Sequence, residues 1–499
     1  MESVNEIQNK TKKSLKWTIL GEVVGRLITP LTTAILSRIL APEIFGITTA
    51  VTMVITFCEI FTDGGFSKYI VQYDFSNEDD KTKSLNVAFW SNFILSILFF
   101  ALICLFNKSV ANIVGASGYE FALIIASTQI PLVAFTSIQT ALFRREFKFR
   151  NLFFVRVLTA GTNLIISVPM ALLNFSYWSI IIGSLAGIVV STIVMFFMSE
   201  WKPKLYFKFS VLKKMFSFSA LNLIEAILIW LCTWISSFII VNKMSQYYLG
   251  IYKNSKSMVT SLLGIVTAAI VPVLFSSLSR LKNDEKAFND MFYRIQKLAA
   301  YLILPMGVGL FLYRDLATLI LFGSKWGEAA IVVGVYGLGT VLRIIFSNFA
   351  SEVYRSKGKP IISVIAQALL LLVLVPTCLY TASGPFHIYV IAATLANCSL
   401  IIISFLFLKF YFKMPLLPIF RNAIRPTLCC GIMVGVAYGL KIVSFSGIYG
   451  YLYDFASILI CIIIYFLCCF LFFRKDFIEM IHFFFHRNKN QLKKNSTQE

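Results

Sequence analysis

Acidic residues and histidine are scarce in this chain. Its 499 residues include 24 Asp and Glu and 3 His, against 45 Lys and Arg. The 10 cysteines lie mostly inside apolar runs and lack the spacing of metal ligands, so we expect neither a metal site nor a disulfide framework. No stretch matches G-x-x-x-x-G-K-[ST], the loop that holds the phosphates of ATP, which excludes an ATP-driven pump.

Charged residues of both signs make up only 14% of the chain, whereas 58% is hydrophobic and the mean hydropathy is +0.79. This composition is typical of a polytopic membrane protein and leaves no room for a soluble domain of ordinary size. Most gaps on one side of the membrane are a few residues long, too short to arrange acid–base or metal chemistry. The exception, 314–328, contains an apolar stretch at 316–322 that predicts a short helix on the outer surface. We therefore do not expect an enzyme.

Apolar runs of roughly 20 residues, enough to cross a bilayer core, recur about fourteen times. Lys and Arg fall in alternate gaps, with about 35 on one side and about six on the other. Basic residues stay on the cytoplasmic side, so both termini are expected there, and the net charge of +21 reports topology, not nucleic-acid binding. The predicted spans begin near Leu15, Ile44, Leu85, Phe121, Leu152, Trp178, Phe218, Leu249, Lys297, Ile331, Ile361, Ile388, Pro426 and Tyr451.

The two halves of the chain resemble each other at an offset of about 204 residues. Gly46, at the start of the second span, corresponds to Gly250 at the start of the eighth. Six spans separate the repeats, an even number, so the repeats are parallel and predict two facing six-helix bundles around a central cavity. The expected organisation is a first bundle at 1–209, a second at 210–414, two additional transmembrane helices at 415–475 and a basic cytoplasmic tail at 476–499, where an interfacial helix begins near Phe477.

Four basic residues fall inside predicted spans: Arg26 in the first, Lys253 and Lys256 in the eighth, and Arg343 in the tenth. An ionised group at mid-bilayer costs roughly 2.5–3.5 kcal/mol, so these side chains should face a polar cavity or a partner. Arg26 lies about eleven residues, or ~16 Å, into its span. Lys253 and Lys256 are three residues apart and share a helix face. A cleft between the bundles would collect these cations and suit an anionic substrate that carries phosphate.

Ion pairing is the structural alternative for these cations. Glu22 precedes Arg26 by four residues and would pair with it on a helix, and Glu225 in the seventh span could reach another cation. Lys253 could instead extend to the outer surface by snorkelling. The sequence leaves pairing and substrate contact open for each of these residues.

Two further positions have local interpretations. Arg343 could bind carbonyl groups at a helix break near Gly337 and Gly339. Asp63 precedes Gly64 and Gly65 and is expected to end its helix, with ion pairing or ion coupling as the alternative that it shares with Glu22 and Glu225. No cofactor is expected, and coupling to an H⁺ or Na⁺ gradient stays open because no clear site for either ion is evident.

Several short segments occur in a specific order and spacing. They are LSRILAPEIFG at 36–46, FTDGG followed by the residues up to Gln72 at 61–72, ALFRREF at 141–147, YW at 177–178, LGIY at 249–252, and the stretch at 272–280. Together they resemble the polysaccharide transporter branch of the multidrug/oligosaccharidyl-lipid/polysaccharide flippase superfamily. The motifs run from the first span into the eighth, and the pattern of spans matches over nearly the whole chain.

The resemblance implies a flippase of the bacterial inner membrane. Its substrate would be an undecaprenyl-pyrophosphate-linked oligosaccharide, moved to the outer leaflet by alternating access for synthesis of O-antigen, capsule or exopolysaccharide. By this resemblance Arg26 would meet the pyrophosphate, with Lys253 and Lys256 contributing from the other bundle. Expected partners are the lipid-linked glycan, membrane lipids and other assembly proteins, namely a polymerase or a chain-length regulator, but no nucleic acid.

Two other functions remain as alternatives. A drug/cation antiporter of the same fold would require acidic residues deep in the cavity, where only Glu22 and Glu225 are candidates. A membrane-bound polysaccharide polymerase is disfavoured by the short outer gaps and by the internal repeat.

Overall fold

The computed structural model describes residues 21, 24–25, 27–63, 65–442 and 448–485. All regular secondary structure in these residues is helical, which confirms an all-α polytopic membrane protein. Twelve of the described helices are long and apolar enough to cross a membrane, and a bent helix makes a thirteenth if its two parts form one span. The first predicted span is described fully only from Leu27, as the apolar helix α1 (Leu27–Ile39), so the count of fourteen is not confirmed.

The long helices follow the predicted order of spans. They are α2 (Pro42–Asp63), α4 (Glu78–Leu105), α7 (Gln129–Arg145), α8 (Phe149–Leu172), α9 (Tyr177–Met198), α10 (Phe209–Lys243), α11 (Gln246–Arg280, the bent helix), α12 (Glu285–Leu312), α14 (Ala329–Arg343), α16 (Ile361–Thr381), α17 (Phe386–Leu406), α18 (Leu417–Lys441) and α19 (Ile448–Phe472). Shorter helices lie between them: α3 (Phe66–Gln72), α5 (Asn107–Ile113), α6 (Glu120–Ser127), α13 (Arg314–Phe322), α15 (Phe349–Ser356) and α20 (Arg474–Phe485).

Several local predictions are confirmed. The apolar stretch at 316–322 lies in the short helix α13, and α2 ends at Asp63, immediately before the two glycines. The predicted interfacial segment beginning near Phe477 is helical and forms α20. Apolar periodicity and helix-ending glycines therefore indicate the helices of this chain reliably.

The described chain divides into two compact units. The first contains the described residues up to Ala268 together with 321–326 and 371–389. In this unit α2 packs against α4, α7 and α10, and α8 lies along α9. The pairing of α8 with α9 depends on small residues: a Cβ at Gly183 would lie 1.9 Å from Ser167 Oγ, and one at Gly187 would lie 2.7 Å from Thr159 O. Small residues at such crossings let helix backbones approach closely in a membrane.

A close helix crossing in this unit joins the two glycines that the predicted repeat makes equivalent. A Cβ at Gly46 in α2 would lie 1.9 Å from the carbonyl oxygen of Gln246, and a Cβ at Gly250 in α11 would lie 1.9 Å from that of Pro42. Neither helix can carry a larger residue here without moving the backbone of the other. The side chain of Gln246 extends the contact by donating from Nε2 to the carbonyl of Gly115 at 2.8 Å.

The second unit contains 269–320, 327–370 and the described residues from 390 onward. Here α12 packs against α14 and α18, and α18 packs against α19. The two helices beyond the predicted repeats are thus joined directly to α12.

A network of ion pairs attaches α20 to the spans of the second unit. Asp476 is 7% exposed and accepts from Lys297 Nζ at 3.0 Å, Arg425 Nη1 at 2.6 Å and the Tyr301 hydroxyl at 3.1 Å. Glu479 accepts from Lys297 Nζ at 2.9 Å and from Arg294 Nε at 2.6 Å. Burial alone would raise the pKa of Asp476, but the hydrogen bonds from Arg425 and Lys297 hold that pKa below its ordinary value.

We predict that Gly250→Ala destabilises the protein, because the new methyl group must displace the Pro42 carbonyl. Gly309→Ala in α12 is the matched control, since a Cβ at Gly309 has nothing within 4 Å. Overpacking at this position should lower the free energy of unfolding by about 1–3 kcal/mol. Thermal unfolding in detergent should therefore show a lower Tm for Gly250→Ala and little change for Gly309→Ala. Equal Tm values would contradict the close crossing.

Asp476→Asn is expected to destabilise the second unit by about 1–3 kcal/mol at pH 7, because Lys297 and Arg425 lose their shared carboxylate. The depressed pKa means that the ionised Asp476 stabilises the fold above its ordinary value of 3.8, and that this contribution disappears as the pH falls below it. Glu200→Gln is the control, since Glu200 is 85% exposed and binds only Lys148 among the described residues. A Tm for Asp476→Asn as high as that of Glu200→Gln would refute the network's role.

Candidate functional site

Two predicted site residues, Arg26 and Glu22, lie outside the described residues, and so does the side chain of Asp63. The neighbours of Arg26 in sequence, Gly25 and Thr29, are described, and both line a cavity in the first unit. This cavity is the polar candidate for a binding site.

The cavity has a volume of about 580 Å³ and is bounded by residues from the first helix, α7, α8 and α9. On each of these helices the lining residues recur at intervals of three or four, so each helix presents one polar stripe. The hydrogen-bonding and small residues of the lining are Gly25, Thr29, Thr136, Thr140, Thr159, Ala160, Asn163, Ser184 and Ser191, and the apolar ones are Leu152, Val155, Ile188 and Met195.

Two arginines complete the lining. Arg144 lies in the last turn of α7, and Arg156 lies seven residues after the start of α8, or ~10 Å along its axis. Both side chains are exposed. None of the described residues that line the cavity is acidic, so the lining provides positive charge and hydrogen-bonding groups together.

Sequence analysis did not identify Arg156 or the polar stripes. The signal was present, because Arg156 is inside the predicted span that begins near Leu152, and Thr159 and Asn163 follow it on the same helix face at three and seven residues. The helical spacing of hydroxyl and amide side chains inside an apolar run is therefore a sequence signal that predicts a polar cavity at this place.

The predicted lysines of α11 both lie near aromatic rings. Lys253 Nζ is 3.4 Å from the centroid of Trp234 in α10, and no carboxylate among the described residues lies within ion-pair distance of it. Lys256 Nζ donates to the Tyr252 hydroxyl at 3.3 Å. A cation over an aromatic face is stabilised by about 2 kcal/mol or more when it is desolvated, which offsets part of the cost of burial in a membrane.

Three buried polar atoms of α10 and α11 have no hydrogen-bond partner among the described residues, namely Ser237 Oγ, Asn254 Nδ2 and Ser255 Oγ. Neither Lys253 nor Lys256 is among the described residues that line the polar cavity of α7, α8 and α9, called the hydroxyl-rich cavity below. Their contact with a substrate stays a prediction.

Acidic residues in the spans of this unit also have described neighbours. Glu225 Oε2 is 3.7 Å from Lys68 Nζ, and Lys68 also donates to Asn222 at 3.0 Å. Glu59 in α2 accepts from Gln129 Nε2 at 3.5 Å, at the point where α6 gives way to α7. Lys68 is a cation that sequence analysis did not connect to Glu225.

Arg343 lies in the second unit. The helix α14 continues through Gly337 and Gly339 up to Arg343, so the expectation of a break near these glycines is wrong. The irregular segment begins one residue later, as the π-helical turn Ile344–Asn348. Arg343 Nη1 donates to the side-chain oxygen of Asn397 at 3.3 Å.

A second cavity of the first unit, of about 650 Å³, is almost entirely apolar. Among the described residues that line it, Ser91 and Lys213 alone are polar, and the Ser91 hydroxyl donates to the Val87 carbonyl at 2.7 Å. Such a lining offers few hydrogen bonds to a sugar. The hydroxyl-rich cavity remains the candidate for a hydrophilic ligand.

Comparison with solved structures identifies the fold. The lipid II flippase MurJ in its inward closed conformation superimposes with a TM-score of 0.73 at 17% identity, covering 92% of this chain and 99% of that chain. An inward-facing MATE family transporter of the MOP superfamily gives a TM-score of 0.63 at 14% identity, covering 79% of this chain and 98% of that one. At these identities the likeness establishes the fold, which is that of helical polytopic transporters.

Sequence comparison then gives the family. The family model described as polysaccharide biosynthesis protein matches residues 35–331, and the chain belongs to this family. The succinoglycan biosynthesis transport protein ExoT of Rhizobium meliloti is 23% identical over 342 residues, covering 68% of this chain and 67% of that protein. The resemblance to the polysaccharide transporter branch is thereby confirmed, and fold and family are those of transporters, not enzymes.

We predict that the hydroxyl-rich cavity contains water. In Ser184→Cys the new thiol should react with a water-soluble methanethiosulfonate reagent, because thiolates form readily only in contact with water. Ile193→Cys on the same helix is the control, since Ile193 is 51% exposed but does not line the cavity. After subtraction of the parent chain's labelling, equal reactivity at both positions would exclude a separate aqueous cavity.

Proposed function

We propose that this protein translocates an undecaprenyl-pyrophosphate-linked oligosaccharide from the cytoplasmic to the outer leaflet of the bacterial inner membrane. The observation that carries the proposal is the cavity lined by hydroxyl, amide and arginine side chains with no carboxylate among its described residues. Hydroxyl and amide groups replace the hydrogen bonds that a sugar makes with water. Arginine binds phosphate oxygens through charge-assisted hydrogen bonds.

In the proposed mechanism the phosphate-bearing headgroup meets the arginines and the glycan occupies the polar stripes of α7, α8 and α9. The polyprenyl chain stays in lipid, because its transfer into a polar cavity would expose its apolar surface to water. Arg26 is proposed to join Arg156 at the phosphates, since Gly25 and Thr29 on either side of it line the same cavity. Lys253 and Lys256 would contribute from the second repeat.

Alternating access supplies the movement. We propose that the cavity is loaded from the basic, cytoplasmic side and that rocking of the halves opens it to the outside. The membrane potential favours this direction for an anionic headgroup by about 2.3 kcal/mol per charge per 100 mV. Both termini would then be cytoplasmic, and polymerases or chain-length regulators acting outside would receive the flipped glycan.

A cation antiporter of the same fold is the second candidate. Glu59, whose described hydrogen-bond partner is the neutral Gln129, is the observation that favours it. An intramembrane carboxylate with a neutral neighbour is the group that such a transporter would use to bind H⁺ or a cation.

The proposed flippase activity is tested in a strain that lacks this chain. Undecaprenyl-linked glycan should accumulate in the cytoplasmic leaflet, and both wild type and Arg150→Gln should relieve the accumulation. Arg156→Gln should lower the flux roughly tenfold or more, because a hydrogen bond to a charged group contributes about 1.5–3 kcal/mol. Arg150 is the matched control, since it lies six residues earlier on α8 and does not line the cavity.

Expression and Tm of the two variants are compared to exclude misfolding. Normal flux in a folded Arg156→Gln variant would show that the cavity is not the headgroup site. Normal glycan export in the deletion strain, together with altered sensitivity to cationic drugs, would favour the antiporter.

A further inference from the structure

A buried polar layer crosses the second unit where α14 contacts α17. A Cβ at Gly339 would lie 2.4 Å from Thr394 Cγ2, Arg343 donates to Asn397, and Ser347 Oγ lies 2.8 Å from Ser404 Oγ. These contacts advance together along both chain segments, so α14 and α17 run parallel.

Because the two helices are parallel, residues one turn before a contact on α14 and on α17 lie at similar depths in the membrane. Thr340 and Thr394 lie one turn before Arg343 and Asn397, respectively, on the same helix faces.

Three hydrogen-bond donors in this layer have no partner within the described part of the chain. They are Arg343 Nε, Thr340 Oγ1 and Thr394 Oγ1. A threonine hydroxyl in a helix usually donates to the carbonyl four residues earlier, as Thr427 does to Ala423 at 2.7 Å. Thr340 and Thr394 make no such bond, so their hydroxyl protons are available to an acceptor.

The layer also carries a positive charge, and no carboxylate in the described part of the chain forms an ion pair with Arg343. Arg343 is the fifteenth of 28 residues in the span Ala329–Ser356, near mid-membrane. Glu328, the acidic residue that precedes it in this unit, is exposed at the start of α14, and Glu352, the one that follows it, lies 3.4 Å from Arg355. An isolated cation in this position costs several kcal/mol, whereas a bound anion would neutralise it and accept its free N–H.

We propose that Arg343, Thr340 and Thr394 bind a single small monovalent anion of the halide class. One negative charge balances the guanidinium, and a monatomic acceptor can receive hydrogen bonds from all three donors. Thr394 and Asn397 are each 5% exposed, so a small anion suits these buried donors better than a phosphorylated headgroup does. The assignment gives Arg343 a ligand other than the lipid-linked glycan, and it holds whether or not the proposed transport activity does.

The test measures the Tm of the purified full-length chain in sodium gluconate and in increasing sodium chloride or bromide. Wild type and Arg156→Gln should both show a saturable rise in Tm with halide, because binding to the folded state alone stabilises it. Arg343→Gln should fold in gluconate and show no saturable rise, since it carries no charge to neutralise. Thr394→Val should need roughly tenfold or more halide for the same rise, because it lacks one hydrogen bond to the anion.

Two results would overturn the proposal. One is a wild-type Tm that does not respond to halide, as expected if water alone meets these donors. The other is an unchanged response in Arg343→Gln. A crystal grown in bromide should in addition place an anomalous peak beside Arg343 Nε, and a peak confined to other positions would equally reject the site.

Discussion

The reciprocal backbone contact between Gly46 and Gly250 constrains the whole first unit. Each glycine allows the other helix to approach until a carbonyl oxygen occupies the space of its missing Cβ. This crossing joins α2 to α11, and the first compact unit contains α10 and the part of α11 up to Ala268 together with α2, α4 and α7. The first unit also contains Trp234, Lys253 and the cavity of α7, α8 and α9.

The intramembrane charges of this chain are stabilised in different ways. Lys253 lies over an aromatic ring, Glu225 lies beside a lysine, and Arg343 donates to an amide. Each arrangement lowers the cost of a charge in lipid through a neighbour that does not line the hydroxyl-rich cavity. A membrane protein can therefore carry many buried charges of which only some contact its substrate.

The sequence predicted the helices well because apolar length, basic gaps and glycines act locally. It also singled out Gly46 and Gly250, the two glycines at which α2 and α11 approach each other. It did not predict that Asn397 would be the partner of Arg343 or that Lys68 would lie beside Glu225, because these contacts join residues more than 50 positions apart. Arg156 was not predicted for a different reason. It lies close in sequence to a basic loop on the cytoplasmic side, so its charge could be assigned to that loop.

The network around Asp476 has a consequence for biosynthesis. Lys297 and Asp476 are 179 residues apart in sequence, so α12 enters the membrane long before its acidic partner exists. During that interval the lysine ammonium must remain at the interface by extending along its aliphatic stem. Until α20 is synthesised, Lys297 and Arg425 lack the carboxylate that they share in the folded chain. The last described helix therefore supplies the charge that completes this network.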